Sequence, residues 1–529
     1  MGVLTGLEPK SVFTFFEEIT KIPHGSGNVE QISDYLVDFA KERKLFCIQD
    51  EWKNVIIVKE ATPGYEKEPA VILQGHMDMV AVKKPDCDID MKTEGLRVAV
   101  SGDAIYAEGT SLGGDDGIAV AYSLALLDSQ TLRHPRLEVI ITVDEEVGMD
   151  GARAINLSML TGNRMVNLDS EDEGIFLTSC AGGARVKCRL PLSVRKSEGT
   201  AFRVTVGGLL GGHSGGEIHK ERGNSNCLFG RLLKVVSDRI PVCLSEVRGG
   251  LADNAIPRET TALLVVEEKD RVVFTEVLAD TEKEIKEELA VKDPDFHITV
   301  EAVGEDGYFC VNAADTKRAA DFLAAMPNGV QSMSADIPGL VETSLNMGIL
   351  EFCAEKRQDL SEEAAPGNAG EERALSEEAA PEGADQILPE ASASEKAGKE
   401  LLLLAEFSVR SSVESAKHAL IGKLHAITEL AGGSSEVTGD YPGWAYRKAS
   451  PLRDKMVALY EKMYGVTPKV EAIHAGLECG ILGSKIRDLD CVSIGPQMTA
   501  IHTTEETLSI ASTRRVWEYL TALLEEKDA

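Results

Sequence analysis

The chain lacks any apolar run near the ~20 residues that a membrane-spanning helix requires. The leucine run Leu401–Leu404 is far too short. Its ten cysteines include no Cys-x-x-Cys pair, which argues against a structural zinc held by thiolates and fits reduced, mostly buried thiols. Basic residues are in deficit, with 55 Lys and Arg against 87 Asp and Glu, a formal net charge of -32. That balance argues against nucleic acid or an anionic membrane surface as partner. The opening MGVLTGLEPKSVFTFFEEITKIP has no basic segment leading into an apolar core, and its sixth residue is Gly6 rather than Ser or Thr. Neither a secretion signal nor myristoylation is expected, and the expected location is cytoplasmic.

What is present is organised around AVILQGHMDMV, Ala70–Val80. Ala70–Leu73 reads as a buried strand bounded by Pro69 and Gly75. Just beyond come His76 and Asp78, a spacing at which the carboxylate can hold one ring nitrogen and aim the other at a metal. The event recurs. LEVIITV, Leu137–Val143, runs into Asp144, Glu145 and Glu146; RMVNL, Arg164–Leu168, ends at Asp169; CVSI, Cys491–Ile494, leads to His502. In open α/β sheets ligands gather beyond the carboxyl ends of the strands. The Gly-rich turn TSLGGDDG, Thr110–Gly117, precedes an apolar helix and places Asp115 and Asp116 at its N-terminus, where negative charge is favoured. A helix cap explains one of these acids and leaves its neighbour over.

The chain, 529 residues long, is long enough for two or more domains. Helices are expected over Glu8–Ile19 and Val29–Lys44, and paired strands over Phe46–Gln49 and Asn54–Lys59. Alternating strands and helices to about Cys180 predict an α/β fold with a mostly parallel central sheet flanked by helices. From about Gly182 the pattern changes. A strand and Gly-rich turn within Ala201–Asn224, a helix over Asn224–Asp238, a hairpin over Val247–Thr260, a helix over Val272–Ala290 and strands over Phe296–Ala302 and Thr343–Phe352 predict a separate α+β unit. Between Leu360 and Gly398 core-forming residues disappear. LSEEAAP occurs at Leu360–Pro366 and again at Leu375–Pro381, and nine acids face one base, Arg373, over Leu360–Glu390. That composition predicts a disordered acidic insertion. A strand then ends near Arg410, either a surface Arg or a two-pronged anion clamp. A helix over Leu452–Tyr464, a strand, turn and helix over Val470–Gly480, and a helix over Ser512–Glu526 follow.

If Asp169 and His502 serve one site, the α+β unit is inserted into the α/β one. The expected division is a catalytic domain from 1–182 and 444–529, with a lid and dimerisation domain, 183–443, between its parts and 360–398 as the acidic insertion. The collected set, His76, Asp115, Glu146, Asp169 and His502, has too few sulfurs for a structural zinc and too many nitrogens for calcium. It suits two metal ions sharing a carboxylate and a water, which such ions acidify. Glu145, beside Glu146, is placed to take that water's proton.

These motifs, with GHMDMV, TVDEEVGMDGA, NLDSEDEG, GGHSGGEIHKERGN, NAIPRE, IHAGLECG and the closing GPQMTAIH, resemble the aminoacyl-histidine dipeptidases. That group belongs to the co-catalytic zinc peptidase superfamily, with glutamate carboxypeptidase and acetylornithine deacetylase. The resemblance spans nearly the whole chain apart from Leu360–Gly398. It implies two Zn2+ per chain, with Co2+ or Mn2+ as substitutes. His76 and Asp169 would hold one ion, Glu146 and His502 the other, with Asp115 bridging them, and the Asp115–Asp116 peptide bond would be cis. Asp78 would orient His76, and Glu145 would be the general base. His213 would stabilise the oxyanion, Asn254 and Arg410 would bind substrate, Arg410 through its C-terminal carboxylate, and Gly476 would line the pocket. A homodimer through the lid domain is expected on the same ground. Two departures stand out: the acidic duplication, and Ile501 where relatives carry Pro before the last His. His474 is a rival to His502 as the second imidazole, while His24, His134, His219, His297, His418 and His425 read as surface or packing residues. The activity implied is hydrolysis of Xaa-His dipeptides including β-alanyl-histidine. The alternatives are deacylation of N-acyl amino acids by the same chemistry and a non-enzymatic binding protein on the same scaffold.

Overall fold

The computed structural model describes residues 2–354 and 400–528. The acidic insertion predicted between Leu360 and Gly398 lies outside the described residues.

The first sheet has eight strands. In spatial order they are Phe46–Gln49, Val55–Lys59, Leu137–Thr142, Val71–His76, Arg164–Asn167, Asp490–Ser493, Ile175–Cys180 and Lys469–Ile473. The central run from Leu137–Thr142 to Asp490–Ser493 is parallel throughout. The first two strands join it antiparallel. The central strands are Val- and Ile-rich and buried on both faces, as parallel strands covered by helices must be. Beyond Asp116 the helix Gly114–Asp128 is almost wholly apolar, and it is buried from Gly114 through Leu127, the pattern of a helix sealed between layers. Phe13, Phe16 and Ile19 of helix Lys10–Ile19 belong to the same core. Tyr122 Oη donates to the Thr513 carbonyl (2.9 Å) and fastens the C-terminal helix Ile510–Glu525 to it.

The chain leaves this sheet at Cys180 and returns at Lys469. Between them stands a second sheet built on one strand, Gly182–Gly207. Its first half pairs with Glu400–Ser411 and Ser434–Tyr441. Its second half pairs with Thr260–Val266, and His297–Val311 runs along it from Val194 to Gly207. Alternate residues Val186, Cys188, Leu190 and Leu192, then Phe202, Val204 and Val206, share a core with helices Ser225–Arg239, Arg271–Leu289, Ala313–Ala325 and Glu414–Leu430. Sequence patterning located part of this strand only, because its middle, Ser193–Gly199, is polar and partly exposed and carries no core alternation. The same reason shortened His297–Val311 to its first residues. Helix Ala313–Ala325 and strands Ser434–Tyr441, Val98–Ser101 and Ala104–Ala107 also went unanticipated. The last two pair with each other, and Ala104–Ala107 pairs on its other side with Thr507–Ser509, which pairs with Met498–Thr499, so a small sheet braces the loop around His502.

Candidate metal centre and adjoining pocket

Five elements deliver the acidic and imidazole side chains to one place. His76 is the last residue of its strand. Asp115 and Asp116 occupy the first turn of the buried helix, and the bond between them is cis. Glu145 and Glu146 do not extend their strand: Asp144 turns the chain at φ 54°, and the two acids open a four-residue helix, Glu145–Gly148. Asp169 follows the strand Arg164–Asn167. His502, at φ 61°, lies on the braced loop.

The Asp115 carboxylate divides between two imidazoles. Its Oδ1 is 3.2 Å from His76 Nε2, and its Oδ2 is 3.2 Å from His502 Nε2. On the His76 side Asp169 Oδ1 is 3.7 Å from Nε2. On the His502 side Glu146 Oε1 is 2.9 Å from Nε2, yet that oxygen makes no aligned hydrogen bond. Close approach without alignment is expected of atoms aimed at a shared centre. Two donors ~2.1 Å from one tetrahedral ion lie ~3.4 Å apart, within the range of these spacings.

Electrostatics agree. Burial, with Asp115 and Glu146 behind it, pushes Asp169 up to about 7 against its contact with His76. Burial also raises Asp116 and Glu145 well above the carboxylate range. Contacts with Asp115 and Glu146 drive His502 up to about 10. Burial sets the carboxylate shifts and neighbouring acids add to them, and a divalent cation among these groups would offset both. The oxygens and imidazole nitrogens present fit such an ion. Clusters able to ligate include His76, Asp115 and Glu146, and also His76, Asp116 and Asp169. Asp116 thus joins the ligand candidates; its Oδ2 accepts the His76 backbone N–H (3.1 Å), while its buried Oδ1 has no partner.

Asp78 organises the same region. His76 Nδ1 lies 3.0 Å from the Asp78 carbonyl and 3.4 Å from its carboxylate. The carboxylate accepts from Ser26 Oγ (2.8 Å) and from the backbone N–H of Glu145 (3.1 Å) and Glu146 (3.4 Å). Burial opposes ionisation here, but the contact with His76, backed by the bonds from Ser26 and the Glu145 backbone, holds Asp78 below the usual range.

The remaining candidates form a second group. Gly212–His213 pairs with Ala255–Ile256, so His213 sits beside Asn254, whose carbonyl accepts the Ser214 N–H (2.8 Å). His213 Nδ1 accepts from Gly216 N (3.0 Å) and Gly215 N (3.3 Å), which leaves Nε2 for another partner. Partial desolvation and the nearby Arg410 charge lower its pKa. Arg410 Nη1 donates to Tyr441 Oη at 3.5 Å. His474, the rival imidazole, does not join the carboxylates. It is buried with Nε2 on Ser344 Oγ (2.7 Å), and burial with the Arg410 charge pushes it down to about 4. Gly476 lies against Met149 and Tyr441.

Two buried acids escaped the sequence reading. Glu506 accepts the backbone N–H of Leu112 (2.7 Å), Gly113 (3.1 Å), Gly114 (2.8 Å) and Asp115 (3.4 Å). Glu478 is fully buried, accepts from Gln74 Nε2 and Thr142 Oγ1 at 2.5 Å each, and is pushed up to about 8 by burial. Gln74 also accepts from Asn167 Nδ2 (2.6 Å). Glu478 therefore ties together the strands that lead to His76, Glu145 and Asp169. An acid inside the apolar stretch HAGLECG was the available signal for Glu478; Glu506, in HTTEE, looked like any surface acid.

Residues 72–526 match the sequence model of peptidase family M20/M25/M40. The chain is 34% identical over 533 residues to the cytosol non-specific dipeptidase of Escherichia coli (strain K12), with 99% of each covered. Among solved structures, the aminoacylhistidine dipeptidase from Vibrio alginolyticus is similar with a TM-score of 0.84 and 33% identity over 99% of both chains. The aminopeptidase PepT of Bacillus cereus, at TM-score 0.57 and 15% identity over 98% of both, shares the fold alone.

Proposed function

The chain belongs to peptidase family M20/M25/M40, and from that premise we propose that it is a cytoplasmic metal-dependent dipeptidase acting on Xaa-His dipeptides, β-alanyl-histidine among them. The observation that carries the reading is the Asp115 carboxylate shared between His76 and His502, with Asp169 and Glu146 on its two sides. Two Zn2+ would be held by His76 and Asp169 and by Glu146 and His502, with Asp115 between; Co2+ or Mn2+ would suit the same donors. Bound there, the ions would polarise the scissile carbonyl and acidify a water.

The rest is the work of this chain's side chains. Glu145 takes the proton of the attacking water and returns it to the leaving amine as the C–N bond breaks. Asp78 fixes the ring of His76 and the backbone of Glu145 together. His213 offers Nε2 to the carbonyl oxygen as it gains charge. Asn254 contributes to substrate binding, Arg410 grips the C-terminal carboxylate, and Gly476 lines the pocket. The second sheet and its helices, residues 183–443, would serve as lid and as the face of a homodimer, with 1–182 and 444–529 forming the catalytic domain.

The test is hydrolysis of β-alanyl-histidine, glycyl dipeptides and an N-acetyl amino acid by metal-loaded protein, beside Glu145→Ala carrying equal metal. Dipeptide cleavage that vanishes in the variant is expected. Cleavage of the acylated amino acid alone would replace the proposed substrate with an N-acyl amino acid, and no cleavage by fully loaded protein would favour a binding protein.

A further inference from the structure

Four adjacent strands of the second sheet place Ser344, Arg410, Gly183 and Tyr441 in one row. Arg410 pairs with Ser344 on one side and with Gly183 on the other, and Gly183 pairs in turn with Tyr441. Gly183 thus stands between a guanidinium and a phenol. A Cβ there would lie 2.7 Å from Tyr441 Cε1, Cζ and Oη. Because there is none, the ring rests on the Gly183 backbone and its hydroxyl comes within 3.5 Å of Arg410 Nη1.

Gly476 forms the other wall of the slot. A Cβ there would lie 2.9 Å from Tyr441 Oη and 2.9 Å from Met149 Cε. Gly476 therefore makes room for the tyrosine, a different use from direct approach to a ligand. The backbone of Tyr441 is pinned as well: the fully buried Lys417 donates to its carbonyl at 2.6 Å. Met149, whose Cε lies against Gly476, follows directly on the helix Glu145–Gly148. The slot accordingly lies between the metal-side acids and the Arg410 pocket.

Arg410 is left unbalanced. Its Nε is buried without a hydrogen-bond partner, and among the described residues no carboxylate pairs with its guanidinium. A half-buried guanidinium with no carboxylate beside it favours an anion, so the pocket calls for one from outside. Tyr441, having accepted from Arg410, still has its own hydroxyl hydrogen to donate.

We propose that Tyr441 is a specificity-determining residue whose hydroxyl donates to the same substrate carboxylate that Arg410 grips, held in place by the slot between Gly183 and Gly476. The assignment rests on the reading of Arg410 as the site of a dipeptide's free C-terminus. His474, on the Ser344 side of the row, does not compete with Arg410 and the phenol: it is uncharged and turned onto Ser344 Oγ.

The experiment compares metal-loaded wild type and Tyr441→Phe by calorimetric binding of histidine and of histidinamide, with KM and kcat for β-alanyl-histidine measured in parallel. The variant removes one oxygen, and equal melting temperature and bound metal verify that nothing else has moved. Wild type should prefer histidine to histidinamide. The variant should lose about tenfold in affinity for histidine, the scale of one hydrogen bond to a charged group, and change by less than about twofold for histidinamide. KM should rise with kcat nearly unchanged. Equal losses on both ligands, no loss on histidine, or a wild type indifferent to the carboxylate would each overturn the assignment. A wild type that prefers histidine through Tyr441 yet hydrolyses no dipeptide would sink the dipeptidase reading and leave Tyr441 standing.

Discussion

The carboxylate of Glu506 accepts the backbone N–H of Leu112 at 2.7 Å, joining the loop that carries His502 to the glycine-rich turn that carries Asp115. It goes on to accept from the three nitrogens that follow, an acid seated on the amide end of the buried helix. Glu506→Ala would strand those donors in a site that is 3% exposed. We expect a loss of ~2–4 kcal/mol in metal-free stability and, beyond it, weaker metal retention, because Asp115 and His502 lose their common brace. Chelator competition on folded protein reads the second effect; unchanged metal affinity would reduce Glu506 to a fold-stabilising role.

Asp78→Ala should weaken metal binding by roughly 10–100-fold, the usual consequence of removing the partner that orients a ligand. It should also slow turnover at saturating metal, since the same carboxylate holds the Glu145 and Glu146 backbone. A variant restored to full kcat by added metal would confine Asp78 to His76.

Glu478 ionises near 4.5 when exposed and near 8 in the fold. A group raised in this way favours the folded state fully below the lower value, and the contribution is lost as pH climbs toward the upper one, at roughly 1.4 kcal/mol per pH unit. Glu478→Gln can still accept from Gln74 and Thr142 but does not titrate. Urea unfolding of metal-free protein from pH 5 to pH 8 should therefore show the variant gaining on wild type as pH rises. Parallel curves would contradict this.

Strands Val341–Ala354 and Glu400–Ser411 are antiparallel neighbours, paired as far as Ala354 and Leu401. Because the two strands are paired on either side of the acidic segment, deleting residues 360–390 should leave melting temperature and kcat nearly unchanged. A drop in either would assign the repeats a part in folding or catalysis.

How much of this was legible beforehand follows from where each residue stands. His76, Asp115, Glu146 and Asp169 each sit at or just past an apolar run or a glycine turn, and those signals are local; His502 follows its strand only after the loop GPQMTAI. Tyr441 has no such mark: it matters because Gly183 lies opposite it and Gly476 beside it, both remote in sequence. Glu506 reads as one more surface acid until its four backbone partners are seen. The long strand Gly182–Gly207 was legible only where one face is covered; its polar middle is strand because His297–Val311 pairs with it throughout. The family motifs supplied roles for His213 and Asn254, which no periodicity marks; His213 lies on a small ladder and Asn254 directly precedes its partner strand.

The order of strands in the first sheet has a consequence for synthesis. Asp490–Ser493 is inserted between Arg164–Asn167 and Ile175–Cys180, two strands made early. Until the far end of the chain emerges from the ribosome, the sheet has an open slit at its centre, with bare peptide groups on one side of Arg164–Asn167. The middle sheet, whose partners all lie between Gly182 and Tyr441, meets no such delay and can mature first. The nascent chain thus carries a finished middle and a gaping first sheet, and a truncation that removes the last strand leaves an edge ready to recruit a strand from another molecule.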